Sequence, residues 1–208
     1  MTHVHTASRD HRRRLGQVKL TLTAAQDCLV QDSVPDTSSN TSIVYFGWLN
    51  WSATTAYGLI QFDLSPLAGK KIVAAKFRLY ALTTWGSNVY ILIHRILPAN
   101  DWLEAQATWN NRKTGTAWTG AAGCSTAGTD YDATAAINEF YWRTLEEWKE
   151  IALNAAGLAD LQYMAAAAAN NQGFIIKRGP SGGSCNRFVS SEYGTASLRP
   201  QLIVTYEP

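Results

Sequence analysis

The stretch YGLIQFDLSPLAGKKIVAAKFRLYAL, Tyr57 to Leu82, constrains the fold more than any other part of the chain. Ile60, Phe62 and Leu64 alternate with Gln61 and Asp63. Val73, Ala75, Phe77, Leu79 and Ala81 share one face of a second extended segment, with Lys76 and Arg78 on the other. Successive side chains of a strand point to opposite sides of its sheet, so this period of two is the signature of half-buried strands. The join, Ser65 to Lys71, carries Pro66 and Gly69, the turn formers expected between two such strands.

The rest of the chain follows the same pattern. Val18, Leu20 and Leu22 alternate with Lys19, Thr21 and Thr23, predicting a first strand, and Cys28 to Val30 a short second one. Gln31 to Thr41 is a loop by composition, and Ile43 to Trp48 a strand. Val89 to Leu97 is apolar on both faces, as a strand covered on both sides requires. Residues 101–111 form a compact segment with two tryptophans. A long Gly- and Thr-rich excursion over 112–130 follows, a candidate functional loop. The signal over 131–148 is mixed, and Trp148, Ile151 and Leu153 fit a strand. One helix is predicted over 158–169, LADLQYMAAAAA, stopped by Asn170 to Gly173. Phe174 to Lys177, Phe188 to Ser191 and Leu202 to Tyr206 read as strands, and Gly179 to Ser184 as a loop. These elements predict an all-β fold, a jelly-roll-like two-sheet β-sandwich with one short helix, over residues 18–208.

Charge is unevenly placed. The net charge is +2, yet residues 1–19 carry +4 from Arg9, Arg12, Arg13, Arg14 and Lys19 against Asp10, leaving −2 for the body. A basic arm over 1–17 therefore precedes a nearly neutral domain, and the body lacks the basic stripe of a nucleic-acid binder. The start, MTHVHTASRDHRRRLG, has no apolar core of a secretory signal, and no run is long enough for a membrane-spanning helix. Cys28, Cys124 and Cys185 are widely spaced and odd in number, a pattern of neither a zinc site nor a disulfide scaffold. Asn40-Thr41-Ser42 and Asn50-Trp51-Ser52 have the form of glycosylation acceptors.

Several segments, in order, resemble one family. They are Asp27 to Val30, Gln61 to Ser65, Ile72 to Tyr80, Trp102-Leu103-Glu104 running into Thr108-Trp109-Asn110, Gly173 to Ile176, Phe188 to Glu192, and Arg199 to Tyr206. Together they resemble the DNRLRE-type β-sandwich domain, related to alginate-binding carbohydrate-binding modules and to disaggregatase-related domains. The resemblance covers roughly residues 24–207 and implies a jelly-roll-like sandwich with a non-catalytic, surface-displayed role. It carries over no ligand site. The segment from about Arg112 to Glu147 is longer than the family pattern needs, and the arm has no counterpart in it.

Catalytic constellations are weak. Only His94 of the four histidines lies outside the arm, and no nucleophile motif accompanies it, so a packed strand histidine is expected. Asp101 with Glu104, and Glu146 with Glu147 and Glu150, are the carboxylate clusters. Neither has the spacing of a glycosidase pair, and solvated surface charge accounts for both. Glu104 and Glu192 are expected to be buried hydrogen-bonding or ion-pairing groups, with Arg199 as a partner. No metal or cofactor is expected; His3 and His5 alone make no structural site.

Stacking on a sugar ring needs an exposed aromatic face. Trp48, Trp51, Trp85 and Trp118 lie in or beside predicted loops and are the glycan candidates, whereas Trp102, Trp109 and Trp148 are expected in the core. The arm residues Arg9, Arg12, Arg13 and Arg14 are candidates for anchoring the domain to an assembly. The expectation from context is a non-catalytic structural protein on a virion surface, of phage head-decoration or tail-associated type. Its partners are other subunits in a homo-oligomer or lattice, and its loops bind glycan. The alternative is a carbohydrate-binding module of an extracellular or cell-surface polysaccharide-active protein.

Overall fold

The structure is a computed structural model that describes residues 16–38, 45–46, 49–51, 54–144 and 146–208; the side chains of 45–46, 49–51, 83–89 and 182–186 lie outside that description. Among the described residues, eleven strands and one α-helix follow in order. They are β1 (Val18–Gln31), β2 (Tyr45–Phe46), β3 (Leu49–Trp51), β4 (Thr54–Phe62), β5 (Lys71–Arg95), β6 (Asn111–Lys113), β7 (Thr116–Ala117), β8 (Phe140–Trp142), β9 (Glu147–Ala152), α1 (Ala155–Ala166), β10 (Phe174–Val189) and β11 (Gln201–Glu207). The all-β sandwich with one short helix is as the sequence predicts. No helix among the described residues is long and apolar enough to cross a membrane.

Two long strands each serve both halves of the sandwich. The first half of β1 pairs with β11, from Val18↔Tyr206 to Thr23↔Gln201, and its second half with β4, from Ala24↔Phe62 to Gln31↔Ala56. The exchange falls at a bulge between Ala24 and Gln26, where an extra residue bends the strand. The two short strands expected at Val18 and Cys28 are thus one strand that changes partners. Strand β5 does the same: its first half pairs with β11 and β9, its second with β10 and β8. Because β10 pairs with both β4 and β5, the ring of strands closes.

Two further breaks expected from Gly and polar residues are also absent. Residues 83–88 continue β5, and Gly179 to Ser184 continue β10, where the pairing with β5 shifts register between Arg178 and Gly183. A paired neighbour on each side overrides the turn propensity of such runs, and a shift in register absorbs them. The helix begins three residues earlier than predicted, because Asn154 caps it by accepting from Gly157 N at 2.9 Å.

The main core lies between the two halves. Ile60, Phe62, Phe77, Leu79, Ile91, Ile93, Phe174, Ile176, Phe188, Leu202 and Val204 meet there, and α1 closes one end with Leu161 and Met164. A second core lies on the outer side of the β1–β4–β10 half. Cys28, Val30, Leu59 and Ile175 point outward and are covered by residues 96–131, an excursion longer than the expected 112–130, through Ile96, Trp102, Ala107, Trp118, Cys124 and Tyr131. Its floor is the alternate face of strands whose other face builds the main core. Strands buried on both faces carry apolar residues at successive positions, as Phe174–Ile176 show.

Asp130 organises the excursion. Its buried carboxylate accepts from Gly120 N (2.7 Å), Ala121 N (3.1 Å) and Thr126 N (2.8 Å). Arg95 fastens strand to helix, donating to Asp160 at 2.6 Å and to Asp132 at 2.9 Å.

Candidate functional site

Of the four tryptophans chosen from the sequence, Trp118 is the one whose side chain is described. Trp118 is 4% exposed, and its Nε1 donates to Thr108 O at 3.1 Å. The excursion that carries it folds down onto the outer sheet face instead of projecting, so Trp118 belongs to the second core and not to an exposed loop. Trp48 lies outside the described residues. Trp51 ends β3, beside the start of β4, and Trp85 lies within β5 opposite Cys185; their side chains are outside the description. Arg9, Arg12, Arg13 and Arg14 are outside it too. Trp102 is buried as expected, whereas Trp109 and Trp148 are only partly buried.

A different group assembles where the excursion stops covering the sheet. Lys177 of β10 pairs with Leu92 of β5, and Ile175↔Leu59 places Tyr57 of β4 on its other side. All three point outward, in the same row parity as the buried Ile175 and Leu59. Lys177 Nζ lies 3.6 Å from the ring centroid of Tyr57 and 4.6 Å from that of Tyr131. Tyr57 in turn stacks on Trp109 of the excursion, with centroids 5.7 Å apart and planes 26° from parallel. Tyr131 packs edge-on against His94, whose Nδ1 sits 2.8 Å from Asp132 O. Farther along the same face Tyr90 and Tyr141 lie 4.8 Å apart across β5 and β8, with Tyr141 43% exposed. The result is a strip of aromatic surface with an ammonium set into it.

Among the described residues no carboxylate lies within ion-pair distance of Lys177. Burial pulls its pKa from 10.5 down to about 8, against the opposing influence of Cys124 and Asp130. Burial pushes the Tyr57 and Tyr131 phenols up and holds His94 below its ordinary value, so all three are neutral at pH 7. The strip therefore offers one cation, several ring faces and no negative charge of its own. This grouping was illegible in the sequence, because Tyr57, Trp109, Tyr131 and Lys177 come from four separate segments. The one signal was Lys177 itself, a cation at an outward position directly after three buried residues.

The opposite face of the sandwich is also aromatic and basic, but its Arg78 and Lys76 both have Glu150 beside them. Arg78 lies 4.1 Å over the Trp148 ring, Tyr80 meets that ring edge-on, and Lys76 pairs with Glu150 at 2.5 Å. A shallow depression there is lined by Lys19, Lys76, Ala152, Ile203 and Thr205. The carboxylate clusters weighed for catalysis are engaged likewise. Asp101 pairs with Arg112 and Lys113, and Glu147 with Lys149. A cleft of about 410 Å³ beside α1 is lined by Phe62, Leu64, Met164 and a run of alanines, with Gln61, Asp63, Ser65 and Asn171 among them, and it presents no aromatic strip or cation.

A third group is acidic. One carboxylate oxygen from each of Asp27, Glu104 and Glu192 lies within 4.8 Å of the others. Glu104 accepts from Asp27 N at 3.0 Å, and Asp27 accepts from Ser191 N at 2.8 Å. Glu192 is exposed, not buried as expected, and Arg199 donates to Tyr193 O instead of pairing with either glutamate.

No curated protein matches the chain. The model of carbohydrate-binding module family 96 matches residues 18–146, well over half of it, taking in β1 to β8 and the whole excursion. That span includes Tyr57, His94, Trp109 and Tyr131, and it supports the carbohydrate-binding part of the family resemblance. The chain belongs to carbohydrate-binding module family 96.

Proposed function

We propose that this domain binds an anionic polysaccharide through the strip formed by Tyr57, Lys177, Trp109, Tyr131 and Leu92, without catalysing a reaction. The observation that carries the reading is Lys177, a partly buried ammonium on an aromatic platform with no carboxylate within ion-pair distance among the described residues. Sugar rings stack on aromatic faces, and a uronate carboxylate supplies the missing negative charge. The opposite face has rings and cations too, but Glu150 already neutralises Lys76 and lies 3.9 Å from Arg78.

Carbohydrate binding is the family's property, so this reading takes precedence over a virion-surface role, for which the family match gives no support. Polymers of this class are found outside cells, which makes an extracellular or cell-surface location the natural one. Trp51 is a further candidate contact, since β3 flanks the β4 end that carries Tyr57.

Affinity electrophoresis of the purified chain tests the proposal. Polymannuronate, polyguluronate and polygalacturonate gels should retard it, and neutral hydroxyethylcellulose should not. Equal retardation by neutral polymers, or none by any uronate, overturns the reading.

A further inference from the structure

Asp27 is 1% exposed, and its Oδ1 has no hydrogen-bond partner although its Oδ2 is satisfied by Ser191 N. A buried, unpaired carboxylate oxygen is costly, and here two more carboxylates stand beside it. Among the described residues no lysine or arginine pairs with Asp27, Glu104 or Glu192. We propose that Asp27, Glu104 and Glu192 form a binding site for a hard divalent cation, with Ca²⁺ the ion that fits.

The chemistry follows from the donors. All three are carboxylate oxygens, the ligands of Ca²⁺ and Mg²⁺, and the group holds no imidazole or thiolate to favour a transition metal. Coordination habit then separates the two ions. Ca²⁺ takes about six to eight oxygens in a flexible shell, whereas Mg²⁺ keeps most of its waters and is usually held by only one or two carboxylates. The three oxygens lie within 4.8 Å of one another, close enough to share one Ca²⁺ at about 2.4 Å from each.

Three carboxylates gathered this closely, one of them buried, repel one another. A bound cation removes that conflict. Exposed Glu192 leaves a path for entry, and waters complete the shell.

The site joins three distant pieces of chain: β1, the start of the excursion and the turn after β10. Each piece is one of the segments that carry the family resemblance. An ion there ties the base of the excursion to the sheet, in series with the Gln26 amide that donates to Gln61 and accepts from Glu104 N at 3.2 Å.

Calorimetric titration of CaCl₂ and MgCl₂ into the EDTA-treated full chain, with thermal melts alongside, tests the site. Binding of one Ca²⁺ should raise the melting temperature by several degrees, reversibly with EDTA, and Mg²⁺ should bind more weakly. Because Glu192 is exposed, Glu192→Gln should fold normally yet weaken Ca²⁺ binding about ten-fold or more. Asp27→Asn should abolish the calcium-dependent shift. Absence of heat and of any shift at millimolar Ca²⁺ overturns the proposal. So does a shift that Glu192→Gln leaves at full size, since that ion would sit elsewhere.

Discussion

Lys177 Nζ lies 3.6 Å from the ring centroid of Tyr57, and Tyr57 stacks on Trp109. A cation over a ring face gains electrostatic attraction, which partly offsets the loss of water around the ammonium. The arrangement holds the charge in place without neutralising it, leaving it available to a ligand.

Replacing Lys177 with Met should cost roughly 10- to 100-fold in affinity for polyuronate, the range of a charge-assisted hydrogen bond of about 1.5–3 kcal/mol. The melting temperature should not fall, because the variant removes a buried charge and keeps the apolar stem. Calorimetric titration with oligouronates, paired with thermal melts, checks both halves of the expectation.

The pH dependence has a definite sign. The folded pKa of Lys177 is lowered to about 8 from 10.5, so the ammonium is lost as pH rises through 8 and polyuronate affinity should drop between pH 7 and 9.5. Stability moves the other way. The unfolded chain holds this proton up to 10.5, so between about pH 8 and 10 the native protein should gain stability relative to Lys177→Met. Urea denaturation of both proteins at pH 7, 8, 9 and 10 measures the difference.

Asp130→Ala leaves the amides of Gly120, Ala121 and Thr126 without their acceptor. Three lost bonds to a charged group should cost about 3 kcal/mol or more. Because the excursion carries Trp109 and Tyr131, polyuronate binding should weaken as well. Chemical denaturation and affinity electrophoresis report on the two effects separately.

Gly157→Ala should destabilise the protein even though alanine favours helix. The added Cβ would stand 2.1 Å from Ala136 O, a backbone atom with little freedom to move. Overpacking of this kind costs about 1–3 kcal/mol or more, against a propensity gain of about 1 kcal/mol. A lowered denaturation midpoint is the expected result.

Sequence pattern disclosed the sandwich because period-two alternation is local: Ile60 and Phe62, or Phe77 and Leu79, announce their strand without reference to any partner. It misjudged residues 83–88 and 179–184, where β5 and β10 pair across Gly and polar residues that carry turn propensity. Trp118 looked exposed because its neighbours are polar, yet the excursion lies flat on an outer sheet face whose apolar character, Cys28, Val30, Leu59 and Ile175, is interleaved with the main core pattern. The functional groups were least legible. Asp27, Glu104 and Glu192 are far apart in the chain, and so are Tyr57, Trp109, Tyr131 and Lys177. Only the closed ring of strands brings either set together.

The most direct test of the account compares the two aromatic faces in one titration series with oligouronate. Lys177→Met and Tyr57→Ala alter the strip beside the excursion, and Arg78→Met and Trp148→Ala alter the opposite face. The account predicts that the first pair loses most of the affinity and the second keeps it within about two-fold, the scale of a surface change remote from the ligand. Full affinity in Lys177→Met, with binding lost in Arg78→Met or Trp148→Ala, would contradict it.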